Sequence, residues 1–214
     1  MASSTISRLI GLFFSVAVLV GLVLAISVPV HTENRAVAAP TVELNQLADA
    51  VVFNKDGQLL QPTGYRRWVY VGTPLTPHDM NGGKAAFPEF HNVYVHPQAF
   101  DTYERTGEFP DGTVVVKELV SVGSKQASSG RGYFMGDFIG LEVAMKDKRR
   151  FRDEPGNWAF FSFGHEYPLL ETALPQPAAN CSACHANLAD DDFVFTQYYP
   201  VLRAAAESPK AEGN

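Results

Sequence analysis

Only two cysteines occur in the 214-residue chain, and they sit three positions apart in Cys181-Ser182-Ala183-Cys184-His185. This C-x-x-C-H spacing suits a particular chemistry. Two thiols add to the two vinyl groups of a haem, and the adjacent histidine lies beneath the ring and ligates the iron. A zinc site would want two further soft ligands, and there is no other cysteine. A thioredoxin-like redox pair would want a βαβ context, which the Pro-rich stretch before Cys181 does not supply. The expected cofactor is haem c, held by Cys181 and Cys184, with His185 as metal ligand. The motif lies 29 residues from the C-terminus, and no Met or His follows His185. A methionine sixth ligand would have to be Met80, Met135 or Met145, all upstream. An open, five-coordinate iron that binds a small molecule is the simpler expectation.

Other residues could work beside such a centre, and strand alternation sorts them. Along Thr113 to Val122, one face carries Val115, Lys117 and Leu119, and the other carries Val114, Val116, Glu118 and Val120. A lysine among apolar neighbours is ordinarily a guard against edge-to-edge aggregation. Along Phe138 to Met145, Ile139, Leu141, Val143 and Met145 make an apolar core face, while Glu142 projects from the other between Gly140 and Ala144. Glu142 reads either as an outward, solvated acid or as an acid with space around it. His91 shares a face with Val93 and Val95, and Phe87 lies in the loop before them. His78, His96 and His165 read as surface or loop residues, and Asp190-Asp191-Asp192 as the cap of a last helix.

The elements that must position these residues follow from periodicity and turn signals. A helix is expected over Thr41 to Val52 and, within the aromatic and β-branched segment Tyr65 to Gly72, a strand through Trp68, Val69, Tyr70 and Val71. A strand over Phe90 to Val95 precedes a helix opened by Pro97 and closed at Gly107. Further strands are expected at Thr113–Val122, Gly136–Lys146 and Asn157–Phe163, and a helical stretch at Phe193–Ala206. Short, turn-punctuated strands imply an α+β fold: one antiparallel, β-sheet-rich domain with a few helices and the C-x-x-C-H motif near its C-terminal end.

The N-terminus carries an export pattern. Arg8 is the only charge in the first 30 residues, Ile10 to Val30 is a 21-residue apolar run, and Ala36-Val37-Ala38 has the A-x-A form of a cleavage site. The run is near the ~20 residues needed to span a bilayer. Residues 1–38 therefore read as a cleaved signal peptide, the favoured reading, or as an uncleaved membrane anchor. Either puts residues 39–214 on the far side of the membrane. With Arg8, Glu33 and Arg35 set aside, 15 Lys+Arg face 22 Asp+Glu, a net charge of -7 over 176 residues. That is one acidic domain with no basic face for nucleic acid.

The runs Phe109-Pro110-Asp111-Gly112-Thr113-Val114-Val115-Val116-Lys117-Glu118-Leu119, Gly132-Tyr133-Phe134-Met135-Gly136-Asp137, Pro155-Gly156-Asn157-Trp158-Ala159-Phe160 and, after the C-x-x-C-H, Tyr199-Pro200-Val201-Leu202 resemble the cytochrome P-460 family over about residues 50–205. The resemblance implies a homodimeric, β-rich periplasmic cytochrome that oxidises hydroxylamine and passes electrons to an external acceptor, a small cytochrome c. It implies that Lys117, at the matching strand position, is cross-linked to the haem macrocycle. It also implies that Glu142 is the carboxylate above the open iron face, where it takes protons from substrate. The family can have Arg where this chain has His91, a departure that leaves His91 the role of hydrogen-bonding a distal ligand; Phe87 would cap the iron sterically. The rival readings are a nitric-oxide-binding beta-type cytochrome c-prime, which shares the fold but lacks the lysine link and has an apolar distal pocket, and a plain electron carrier.

Overall fold

The computed structural model describes residues 51–208. Nine strands lie among them: β1 (Leu59–Leu60), β2 (Val69–Gly72), β3 (Phe90–Val95), β4 (Val114–Val122), β5 (Gln126–Ala127), β6 (Gly130–Arg131), β7 (Met135–Lys146), β8 (Trp158–Ser162) and β9 (Thr172–Ala173). Three helices accompany them: α1 (Pro97–Thr106), α2 (Ser182–Leu188) and α3 (Pro200–Glu207). Five strands make one antiparallel sheet in the order β2-β3-β4-β7-β8, and β1–β9 and β5–β6 pair as separate ribbons. This is the expected α+β domain with an antiparallel sheet.

β4 is central because its sequence is apolar on both faces, as a doubly covered strand requires. Val115 joins Val71, Val93, Val95 and Phe160 on one face, covered by Ala99 and Tyr103 of α1 and by Leu202 and Ala205 of α3. Val114 and Val116 join Leu141, Val143, Met145, Ala159 and Phe161 on the other, covered by Leu59, Tyr65, Phe151 and Phe163. The alternation read from β7 is realised: its odd-numbered residues from 141 to 145 enter the second core. Glu142 and Ala144 therefore face the side of α1 and α3.

Helix α1 begins with Pro97 at its first turn and stops at Gly107, whose φ of 79° lets its N–H reach the Tyr103 carbonyl. Elsewhere the elements depart from expectation. Tyr65–Arg67 forms a 3-10 turn that the sequence pattern leaves unassigned, and the strand starts at Val69, one residue after the expected Trp68. The cause is Glu118, fully buried, whose carboxylate accepts both the Tyr65 hydroxyl at 2.6 Å and Arg66 Nε at 2.8 Å. Adjacent strand residues point to opposite faces and could not both reach it. The last helix starts at Pro200, because Asp192 and Phe193 have positive φ angles of 39° and 63°. Asp192 does not cap that helix: its carboxylate receives Lys146 Nζ at 2.6 Å and Trp158 Nε1 at 3.2 Å. Of the helix expected over Thr41 to Val52, residues 41–50 lie outside the described residues, and Val51 and Val52 are not helical.

Candidate functional site

Register across the sheet assembles the site. Val93, Lys117, Glu142 and Ser162 stand directly opposite one another on β3, β4, β7 and β8. Directly paired antiparallel residues share a face, so this row and the next one (Val95, Val115, Ala144, Phe160) form a floor. The segment around α2, together with Phe193, Phe195, Tyr198 and Tyr199, encloses it. The result is a cavity of ≈ 390 Å³, within the range of cofactor and ligand sites. Phe87, His91, Lys117, Glu142, Cys181, Cys184 and His185 all line it. The structure thus brings the seven candidate residues to one place.

His185 is held as a metal-ligating histidine would be. Its Nδ1 lies 2.7 Å from the Phe193 carbonyl oxygen, which can only accept, so Nδ1 carries the proton and Nε2 keeps its lone pair. Phe160 and Phe195 flank the ring, with centroids 4.3 and 4.7 Å away. Burial pushes its pKa down, only partly opposed by the Phe193 hydrogen bond, which favours the neutral ligand form. Cys181 immediately precedes α2 and Cys184 lies one turn on; both are free thiols. A paired-thiol helix, a neutral histidine and an apolar cavity are the parts that a covalently attached haem requires. None of the three candidate methionines lines that cavity. Met80 and Met135 are exposed, and Met145 is buried on the opposite face of the sheet.

Glu142 divides its carboxylate between two partners. Oε2 is ion-paired with Lys117 Nζ, and Oε1 lies 2.9 Å from His165 Nε2. Burial raises its pKa, but the Lys117 charge and the hydrogen bonds from Lys117 and His165 outweigh that and hold it below the ordinary carboxylate value. The acid is anionic near neutrality. The room beside it is used otherwise than expected. Ala144 lines the cavity, whereas the bare Cα of Gly140 admits the Gly164–His165 backbone: a Cβ there would stand 2.8 Å from Gly164 O.

His91 lines the cavity, and its buried Nε2 lies at ion-pair distance, 3.5 Å, from Glu89 Oε1. Burial pushes the Glu89 pKa up, and this contact helps to bring it below the ordinary carboxylate value. Phe87 packs edge-on to His91 at 6.3 Å and lies 5.8 Å from Lys117 Nζ. His165 was expected to be a plain surface residue, and its contact with Glu142 was not foreseen. Nor were Phe193, Phe195 and Tyr198, although an aromatic cluster just after the C-x-x-C-H was a readable sign of apolar walls.

The sheet and site together define a c-type haem protein. No match was found among curated proteins. A family model, Cytochrome P460, matches residues 62–196, the stretch that holds every candidate residue above, and the chain belongs to that family.

Proposed function

We infer that the protein is a periplasmic oxidoreductase that oxidises hydroxylamine in the cavity bounded by Lys117, Glu142 and His185. The observation that carries this reading is the cross-strand pair Lys117–Glu142 on the cavity face, a lysine and an acid where a gas-binding pocket would be apolar. Cys181 and Cys184 would hold haem c by thioether bonds, with His185 Nε2 as the iron ligand. When bound, haem would supply the redox chemistry that takes electrons from hydroxylamine toward an external acceptor, a small cytochrome c. Loss of two electrons and two protons takes NH2OH to HNO. Glu142 receives the protons from the substrate N–H and O–H, one at a time, as a base. His91 Nε2 hydrogen-bonds the bound molecule, and Phe87 crowds it.

Lys117 is joined through Nζ to a ring carbon of the haem. Replacing C–H by C–N releases two electrons and two protons, so this maturation uses a two-electron oxidant of the peroxide class. The mature domain is exported past residues 1–38 and works as a homodimer, readings that rest on Ala36-Val37-Ala38 and on the family. The largely apolar walls (Val93, Val115, Phe160, Phe193) favour one alternative, a nitric-oxide-binding protein without turnover. Proteolysis of the native protein decides between them. A haem peptide carrying both Cys181–His185 and Lys117, from a protein with an unusual ferrous spectrum, supports the oxidase. A haem peptide with the two cysteine linkages alone gives the assignment to the gas binder.

A further inference from the structure

Each two-electron oxidation of hydroxylamine releases two protons, while a carboxylate stores one. Glu142 must therefore discharge between acceptances, and a haem seated in the cavity would cover the face that Glu142 turns toward it. The other side of Glu142 has a built exit. His165 Nε2 is 2.9 Å from Oε1, and His165 is not among the cavity-lining residues. Its side chain is 51% exposed, against 25% for Glu142. The pair thus has one member in the cavity and one in water.

The backbone is shaped to hold this contact. Gly164, at φ 108°, turns the chain after β8, and its carbonyl accepts the Leu141 N–H at 3.2 Å, pinning the turn beside Glu142. Gly140 lacks the side chain whose Cβ would press on His165 Cα at 3.2 Å. The charged and titratable groups facing Glu142 from the remaining elements are Lys117 on β4, which holds the other carboxylate oxygen, and Cys181 and His185 of the motif. All three lie on the cavity side. Only His165 leads outward, and histidine is the side chain suited to exchanging protons near neutral pH.

Resting on the hydroxylamine reading, we propose that His165 is the relay that carries protons from Glu142 to solvent. Glu142 passes a proton from Oε1 to Nε2, the imidazolium gives one up to water, and the electrons leave separately through the haem to the external acceptor. His165 touches no substrate and acts through Glu142.

The test uses the haem-loaded protein carrying His165→Gln, in which the amide can still donate to Oε1 but cannot shuttle. Turnover at neutral pH in dilute buffer falls about 10-fold, less than the loss of the base itself. It recovers as 2-(N-morpholino)ethanesulfonate is raised, because a bulky buffer base takes the proton instead. When the ferric protein binds cyanide, HCN gives up one proton that Glu142 can store, so association keeps its wild-type rate while release of that proton to a pH-indicator dye in solution slows, without any turnover. Wild-type rates of turnover and of proton release overturn the relay. So does a slowed variant that ignores buffer, which makes His165 only a prop for Glu142. Glu142→Gln is measured alongside. If it turns over normally, the base reading itself fails; if it is slow while His165→Gln is normal, the relay alone fails.

Discussion

Gly140→Ala adds one methyl group at a place where the structure leaves none. The new Cβ would lie 2.7 Å from Leu119 Cδ1, 2.8 Å from Gly164 O and 3.2 Å from His165 Cα. The leucine methyl can rotate aside. The Gly164 carbonyl cannot move freely, because it accepts the Leu141 N–H at 3.2 Å and holds the turn that carries His165. Overpacking of this kind costs ~1–3 kcal/mol, and a loosened backbone hydrogen bond adds ~0.5–1.5. Replacing glycine inside a strand returns ~0.5–1 through the unfolded chain. The net loss is about 2 kcal/mol, within a span of about 0.5–4, and the central value lowers Tm by about 4–8 °C in a domain of this size. Thermal unfolding followed by circular dichroism measures it. The same displacement moves His165 off Glu142, so turnover in dilute buffer should fall as it does for His165→Gln, with the haem still attached. An alanine variant with unchanged Tm and unchanged turnover would show that the turn has slack and that Gly140 does not position His165.

Three further outcomes follow from the same geometry. Glu142→Ala should keep haem attachment and small-ligand binding yet slow hydroxylamine oxidation by ~10²–10⁴-fold, the usual loss for a general base; steady-state rates on spectrally normal protein check it. Lys117→Leu should retain haem through Cys181 and Cys184, show an ordinary c-type spectrum and lose most hydroxylamine oxidation, which absorption spectra and haem-peptide mass spectrometry read together. Asp192→Ala should cost ~2–4 kcal/mol in denaturant unfolding, because it leaves the mostly buried Lys146 ammonium with only the Phe109 carbonyl and the Trp158 indole N–H without its acceptor, whereas Asp190→Ala at the surface should change little.

The strands were legible because a sheet covered on both faces leaves a two-residue alternation that local sequence carries, as Val114 to Val120 and Leu141 to Met145 show. The cavity was legible where a motif or an odd residue broke that alternation: Cys181 to His185, Lys117 and Glu142. What escaped depends on contacts between distant segments. Tyr65 and Arg66 have strand-like neighbours, but a turn forms because Glu118, more than 50 residues away, draws both side chains. Asp192 looks like a helix cap until the fold brings Lys146 and Trp158 to it. His165 follows a strand in an ordinary Gly-His turn, and nothing local says that the turn folds back over Gly140. The space expected beside Glu142 is divided: Ala144 lines the cavity, while the protein's own backbone fills the place beside Gly140.

That arrangement also bears on how Glu142 changes as the protein matures. While Lys117 Nζ is an ammonium, it is the chief group holding the Glu142 pKa below its ordinary value of 4.5, against burial, which is the largest single influence and acts upward. In the proposed cross-linked form Nζ would no longer supply that charge, His165 would be the remaining partner, and the upward effect of burial would be less opposed, so the Glu142 pKa would rise. Lys117→Arg separates the two states, since it keeps a cation opposite Glu142 and cannot form the same bond. Infrared difference titration of the carboxyl band, identified by its loss in Glu142→Gln, should give a higher pKa in the native protein than in Lys117→Arg. Coincident titrations would mean that the native amine is still charged, and the cross-link and the tuning argument would fall together.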